Sequence, residues 1–438
     1  MTASGRTRAR YEAALRWLYG LSARGIRLHL DRMRGAVAAR GMPQKGLRVV
    51  HVAGSNGKGS VCAMVERGLR AAGYRTGLFT SPHLHRYAER VRIAGRPLGE
   101  GEVADRLEEL RQAMPDLPRL TFFEVTALLA FEAFRDHAVD AVVLEVGLGG
   151  RLDATNVVGA PLCSVVTGIA LEHTRILGDT LEAIAKEKAG VIKRGCPVIL
   201  GEGTPGPRTV LRRTANRRRA PAWLLGRDFE GRQEPDGRAM IRVGSGRGAF
   251  ERTLRLGLGR APYQAHNAAV AAATLRRLGD RGLSVPDDAI ATGLRTARWA
   301  GRAEHVDVAE GPSFLFDAGH NPEGCVAAAA LLRSPPARKT VLLFGAMADK
   351  DHEAMLAAFA GRVHRRVYAA PVMRRAAEAD AFAALRPGSV ARSVRDGLAR
   401  ARRMAGPEGL VVVVGSIFLV QEVRAAVLGI RSDPPIAM

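Results

Sequence analysis

From Val49 to Ser60 the chain reads Val-Val-His-Val-Ala-Gly-Ser-Asn-Gly-Lys-Gly-Ser, a β-branched run that stops in a glycine-rich turn. A helix-compatible segment follows through Val61, Met64, Val65 and Leu69. Gly54, Gly57 and Gly59, with Asn56 among them, let backbone N–H groups converge on an anion. The following helix presents its positive end, Lys58 adds a charge, and the Ser60 hydroxyl can hold Mg²⁺. This is a phosphate site, and ATP is the expected ligand. The turn departs from the commonest nucleotide loop, with Val52 at a glycine position and Gly59 where Ser or Thr follows the lysine. Alone it also reads as an unliganded strand-to-helix turn.

Three further residues carry metal chemistry. Ser81 follows a short strand at 75–79, Glu145 ends a buried parallel strand at 140–146, and His173 follows a strand at 163–167. Each therefore falls at the carboxyl edge of an open α/β sheet, where ligands gather. Oxygen donors suit Mg²⁺, and one imidazole widens the choice to Mn²⁺. Taken singly, Glu145 reads also as a capping or ion-pair carboxylate, His173 as a hydrogen-bonded turn residue, and Ser81 as part of a turn. Their shared placement favours the metal reading.

Of the 66 basic residues only seven are lysine. In a chain that uses arginine for nearly every positive charge, a retained lysine points to chemistry that a guanidinium does not perform, such as forming a carbamate or placing a compact charge. Lys58 lies in the phosphate loop, and Lys186, Lys188 and Lys193 cluster. A solvated helix face is the alternative for that cluster.

The elements that must position these groups follow from the rest of the chain. Its 438 residues, 47% of them hydrophobic, suffice for two or three domains with full cores. The net charge of +23 raises nucleic acid as a partner, but arginine is spread along the whole chain and aromatics are 5%, so no specific nucleic-acid partner is expected. Cys62, Cys163, Cys196 and Cys325 make no metal-type pair and read as buried thiols. No segment is long and apolar enough for a membrane span, and no apolar signal core follows Met1, so a cytoplasmic protein without a membrane partner is expected. Residues 8–40 read as two helices, with further helices at 101–113, 121–135, from Leu181, and from Gln264 to about Leu278. The 203–262 portion reads as a peripheral hairpin region with weak strand patterns. From Arg298 the βα alternation restarts, with strands near 303–308, 313–317, 340–344, 364–369 and 410–414. We therefore expect an α/β fold with a P-loop ATP-binding domain over 1–297 and a smaller Rossmann-like domain over 298–438.

The motif set has a further meaning. Ala53-Gly-Ser-Asn-Gly-Lys-Gly-Ser60, Ser81-Pro-His-Leu, Glu145-Val-Gly-Leu-Gly-Gly-Arg-Leu-Asp-Ala-Thr-Asn, Leu171-Glu-His-Thr-Arg-Ile-Leu-Gly, Glu187-Lys-Ala-Gly, Asp317-Ala-Gly-His-Asn-Pro, Asp349-Lys-Asp and Gly415-Ser-Ile-Phe-Leu-Val occur in the order found in folylpolyglutamate synthase and dihydrofolate synthase. The chain thus resembles these Mur-ligase-type enzymes from about Tyr11 to Arg424. The resemblance implies an ATP-dependent amide ligase: ATP phosphorylates a pteroate or folate carboxylate, and L-glutamate attacks the acyl phosphate. It implies Lys58 at the terminal phosphates, Ser60 near the metal–phosphate array, and Ser81, Glu145 and His173 on one or two Mg²⁺ ions. It further implies a carbamylated Lys188, with Asn267, Arg302 and Asp317 around the nucleotide, and His320 and Ser416 near the incoming glutamate. Thr121, Phe123 and Asp153 are implied beside the pterin, although Phe123 equally suits an apolar helical face. Lobe closure on binding ATP and acid, and action as a monomer, are expected.

Several positions depart from the family pattern. His29 replaces a glycine beside the presumed pterin pocket, Ser55 a Thr, Glu172 an Asp and Gly319 an Ala, while Trp299-Ala300 stands where Met or Arg before Pro is usual. His29 bears on substrate identity more than on reaction type. A second reading is a related ligase acting on a non-folate carboxylic acid. A third is a basic, nucleic-acid-associated ATP-binding protein, which the scattered charge opposes.

Overall fold

The computed structural model describes residues 3–25, 27–244, 250–258 and 261–434. Its first sheet has eight strands: β1 (Val49–Ala53), β2 (Thr76–Phe79), β3 (Val91–Ile93), β4 (Arg96–Pro97), β5 (Ala141–Glu145), β6 (Cys163–Val166), β7 (Val198–Leu200) and β8 (Ala222–Leu224). They lie in the order β4-β3-β2-β5-β1-β6-β7-β8. All pairings from β2 to β8 are parallel, and β3 and β4 add an antiparallel edge. The register sets Val52 of β1 beside both Glu145 and Val165. Parallel strands are covered on both faces, which explains their nearly unbroken apolar runs. One face packs on the Ala3–Gly20, Glu100–Ala113 and Phe122–Asp136 helices, and the other on Lys58–Ala71 and Pro262–Leu278.

The 203–262 portion departs from the sequence expectation. It opens with a helix, Pro205–Arg217, whose buried residues are Pro207, Leu211 and Ala215, too narrow a stripe to stand out among its arginines. The chain then adds β8 to the main sheet rather than leaving it. Next come β9 (Phe229–Gln233), β10 (Ala239–Gly244) and β11 (Phe250–Leu256), an antiparallel sheet in the order β11-β10-β9. This sheet is no peripheral hairpin: Phe229, Ile241 and Val243 join the core around the Pro262–Leu278 helix.

The last sheet comprises β12 (Glu304–Val306), β13 (Ser313–Phe316), β14 (Thr340–Phe344), β15 (Arg365–Tyr368), β16 (Ser389–Val390) and β17 (Leu410–Val414), ordered β12-β13-β17-β14-β15-β16. Only β12 runs antiparallel to its neighbour. It has apolar cores on both faces. The short β16 carries no alternation of its own and escapes a reading of the sequence. The four cysteines are buried and unpaired. Among the described residues no helix is long and apolar enough to cross a membrane.

Candidate functional site

The two parallel sheets face one cleft with their carboxyl ends, enclosing about 350 Å³. The phosphate loop leaves β1 at Gly54. Gly57 has φ +84° at the start of the Lys58–Ala71 helix, and a Cβ there would sit 2.4 Å from the Asn267 Oδ1. Gly59, the residue that breaks the commonest loop pattern, has the Trp299 indole against it; a Cβ would lie 2.6 Å from its Nε1. Glycine at 59 is thus required by packing from the segment that joins the two lobes. The Lys58 ammonium lies over its own loop, donating to the carbonyls of Gly54 at 2.8 Å and Ser55 at 3.2 Å. Thr167, at the end of β6, donates its hydroxyl to the Asn56 carbonyl at 2.7 Å and holds the loop from the opposite side.

Ser81, Glu145 and His173 all line this cleft, as do Gly54, Asn56, Gly57, Lys58, Gly59, Ser60, Lys188, Asn267, Arg302, Asp317 and His320. Glu145 is buried, and its Oε2 accepts the Ser81 N–H at 3.0 Å. Burial raises its pKa, with Lys58 opposing. His173 has left-handed backbone, φ +47°, and starts the four-residue Thr174–Leu177 helix. Its ring is partly desolvated by the wall and its pKa lies below the usual imidazole value, although the residue as a whole is exposed at the rim. Among the described residues no three His, Cys, Asp or Glu side chains form a closed metal cage. One carboxylate, serine hydroxyls and a neutral imidazole beside a phosphate loop do fit Mg²⁺ or Mn²⁺, which are held by few protein ligands together with phosphate and water.

Lys188 is fully enclosed at the end of the Leu181–Lys188 helix. Its ammonium donates to Glu172 at 2.7 Å and to the Gly54 carbonyl at 2.9 Å. Burial brings the amine down to about 8 in spite of Glu172, while the lysines bring Glu172 down to about 2 against its own burial. The solvated-face alternative for Lys188 is therefore excluded, and Glu172, notable in the sequence only as a departure, is its partner.

From the second lobe, Asp317 follows β13 and is buried. Its Oδ2 accepts from the Tyr263 hydroxyl at 2.6 Å and the Ala303 N–H at 2.9 Å, and its Oδ1 from the Gly319 N–H. The Tyr263 bond crosses between lobes, as does Asn321 Nδ2 to Asn56 Oδ1 at 3.3 Å. The Arg302 guanidinium lines the cleft without a hydrogen bond to another described residue. Burial, then Arg302, lowers the His320 pKa to about 4. Its Nδ1 lies 3.1 Å from the Ala318 carbonyl, which only accepts, so Nδ1 carries the proton and Nε2 is an acceptor.

Four predicted residues do not line the cleft. Thr121 caps the Phe122–Asp136 helix, exchanging bonds with Glu124. Asp153 is buried and accepts from the N–H groups of Leu148 and Thr155 and from the Thr155 hydroxyl, bracing the 147–156 loop. The half-buried Phe123 packs edge-on to Phe79 and under Gly147, where a Cβ would meet its ring at 2.3 Å. Ser416 caps the Ile417–Leu428 helix, and the adjacent Gly415 N–H bonds the Gly319 carbonyl beside His320. Sequence reasoning passed over Thr167 and Tyr263. The signal for Thr167 was available, since it ends a strand at the same edge as Ser81; Tyr263 had none.

A family model described as Mur ligase, glutamate ligase domain, matches residues 301–417. A Halobacterium salinarum protein described as a probable bifunctional folylpolyglutamate synthase/dihydropteroate synthase is 38% identical over 95% of this chain. The chain spans about half the length of that relative, 51%. The Bacillus subtilis dihydrofolate synthase/folylpolyglutamate synthase is 31% identical, covering 94% of this chain and 98% of its own. Among solved structures, a Yersinia pestis bifunctional folylpolyglutamate synthase/dihydrofolate synthase complexed with AMPPNP and a Mn ion superposes with a TM-score of 0.85 at 34% identity, over 96% of this chain and 98% of that one.

Proposed function

Because the chain belongs to the folylpolyglutamate synthase/dihydrofolate synthase family, we propose that it is an ATP-dependent, ADP-forming ligase that adds L-glutamate to dihydropteroate and to folates through an acyl phosphate. The observation that carries this reading is a single cleft in which the phosphate loop, Glu145 and His173 of one lobe face Arg302, Asp317 and His320 of the other. A carboxylate is a poor electrophile until it gains a leaving group, and phosphoryl transfer is governed by positioning and charge neutralisation.

In this reading residues 1–297 bind ATP and the acid, and residues 298–438 bring the groups that meet glutamate. Lys58 exchanges its two loop carbonyls for terminal phosphate oxygens. Arg302 turns its unpaired guanidinium to the transferring phosphoryl group, held in place beside the Asp317–Tyr263 contact, and Asn267 flanks the nucleotide. Ser60, Ser81, Glu145 and His173 would hold the divalent ion, Mg²⁺ or Mn²⁺, which neutralises phosphate charge when bound. Neutral His320, with Ser416 near it, offers Nε2 to the incoming amine. Thr121, Phe123 and Asp153 shape the pterin side by fixing the loop and helix around it. Closure of the lobes over ATP and acid excludes water from the acyl phosphate, and scattering profiles with both ligands should be more compact than without. Both lobes come from one chain, so a monomer suffices.

Lys188 is the carbamate site in this reading. Its depressed pKa supplies neutral amine, whose lone pair adds to CO₂ with loss of one proton to solvent. The resulting anion gives up the ammonium contact with Glu172, and a bound divalent ion would offset the added negative charge. The deciding assay is ADP release with dihydropteroate plus glutamate, tetrahydrofolate plus glutamate, each component omitted, a non-folate acid, and DNA or RNA. We expect ADP only when a pteroate or folate acid and glutamate are both present. Release stimulated by nucleic acid, or none with any folate acid, refutes the assignment.

A further inference from the structure

The chain passes between the lobes twice. The first crossing is the 297–303 segment, whose Trp299 packs on Gly59 and whose Gly301 carbonyl accepts the Ala318 N–H. The second lies beyond the Ile417–Leu428 helix. Gly429, at φ +64°, ends that helix, and residues 430–433 return to the first lobe.

Asp433 is the anchor of this return. Its side chain is 0% exposed. Its Oδ2 accepts from the Tyr11 hydroxyl at 2.6 Å and the Tyr87 N–H at 2.8 Å, its Oδ1 from Arg8 at 3.2 Å, and its own N–H donates to the His85 carbonyl at 2.8 Å. Ser432 and Arg424 bracket the His85 ring, at 3.0 Å from Nδ1 and 2.8 Å from Nε2 respectively. Arg424 in turn holds Glu304 of β12. A buried carboxylate persists only when its lone pairs are satisfied, so these bonds act together rather than singly.

Two features make this more than a terminal contact. The segment is loop from Ser81 to Arg86 and a 3-10 turn from Tyr87 to Arg90, and Glu89 of that turn accepts the N–H groups of Leu84, His85 and Arg86. Asp433 supplies the Tyr87 N–H with its partner and donates to the His85 carbonyl, so the 85–87 stretch is fixed both by its own Glu89 and by a residue that arrives from the second lobe. In addition, Ala300 of the first crossing and Ile430 of the second line the same cavity, of about 580 Å³, with Arg86, Arg92 and Glu100. The two crossings thus run side by side. A single connecting strand permits rotation about many axes, whereas two restrict it to the line through both.

We propose that Asp433 is a positioning residue, the pin of a second hinge strand that holds the 85–87 stretch, and with it the acceptor wall, on the first lobe while the lobes turn. This rests on the proposed function, with the 81–90 loop, whose Ser81 and Pro82 line the cleft, taken as one wall of the acid site. The test uses the full chain with Asp433→Asn, Asp433→Ala and Tyr11→Phe, following amide hydrogen exchange at 85–88 and the KM values for acid and ATP. We expect faster exchange at 85–88 and an acid KM raised about tenfold in Asp433→Ala, on the scale of one lost charge-assisted bond, with the ATP KM unchanged. Asp433→Asn, which keeps one oxygen acceptor, should fall between it and the parent chain. Should Asp433→Ala not fold, Asp433→Asn and Tyr11→Phe carry the same two readouts. Unchanged exchange in the folded variants, or acid and ATP KM values rising together, overturns the pin. If the parent chain turns over no folate acid, the functional reading fails by itself, and the exchange experiment still decides the pin.

Discussion

On the nucleotide side of the cleft, the groups that would meet phosphate come from consecutive residues 54–60: backbone amides, one hydroxyl, and one lysine whose ammonium rests on the carbonyls of its own loop. On the acceptor side, Thr121 and Asp153 come from separate segments and their oxygens are already engaged, one capping a helix and the other bracing a loop. The first wall needs its geometry to match a fixed ligand shape, so its chemistry is local in sequence. The second is made of segments that are placed by one another, Glu89 holding its own loop locally and Asp433 reaching it from across the molecule, so its chemistry resides in position rather than in residue type.

The difference predicts a ranking of defects. Lys58→Ala should lower ADP release about 10²–10³-fold with any acid, as loss of one preorganised positive group does, while the melting temperature holds; retained turnover would remove the nucleotide wall from the mechanism. Lys188→Arg keeps a positive charge but forms no carbamate, and we expect turnover to fall at least about tenfold in the folded variant; near-normal turnover eliminates the carbamate. Gly57→Ala forces a Cβ onto Asn267 at φ +84°, a strain of about 1–3 kcal/mol. It should appear in the ATP KM and leave the acid KM alone.

Smaller effects probe the rest. His320 has a folded pKa of about 4 against 6.5 for a free imidazole, so the stability linked to it is complete above 6.5 and is lost as pH falls from 6.5 towards 4. His320→Asn should flatten that part of the melting temperature's pH dependence; an unaltered slope means that the ring is not kept neutral. Thr121→Ala removes a cap worth about 1 kcal/mol and should lower stability with little change in acid KM. A large rise in acid KM would instead put the hydroxyl on the substrate and erase the contrast between the walls.

Much of this was legible in the residues. The strand-to-loop handovers at Gly54, Ser81, Glu145 and Asp317 follow from apolar runs that end abruptly in polar or glycine-rich turns, and the structure gathers all four in one cleft. The 205–217 helix was illegible because its apolar stripe is three residues among arginines, and β8 because only its neighbour β7 makes a three-residue strand stable there. Glu172 showed as a substitution and not as the partner of Lys188, since nothing in spacing reveals a 2.7 Å ion pair.

The sequence by itself determined the phosphate loop, the parallel strands and the order in which functional side chains leave them, because each depends on contacts within a few residues or on one period of burial. Only the tertiary structure decided that Gly59 must be bare for Trp299, that Lys188 is enclosed against Glu172, and that Asp433 reaches Tyr11 and Tyr87. Those depend on burial and on partners far along the chain, where the cost of desolvating a charge is settled by whatever the fold brings beside it.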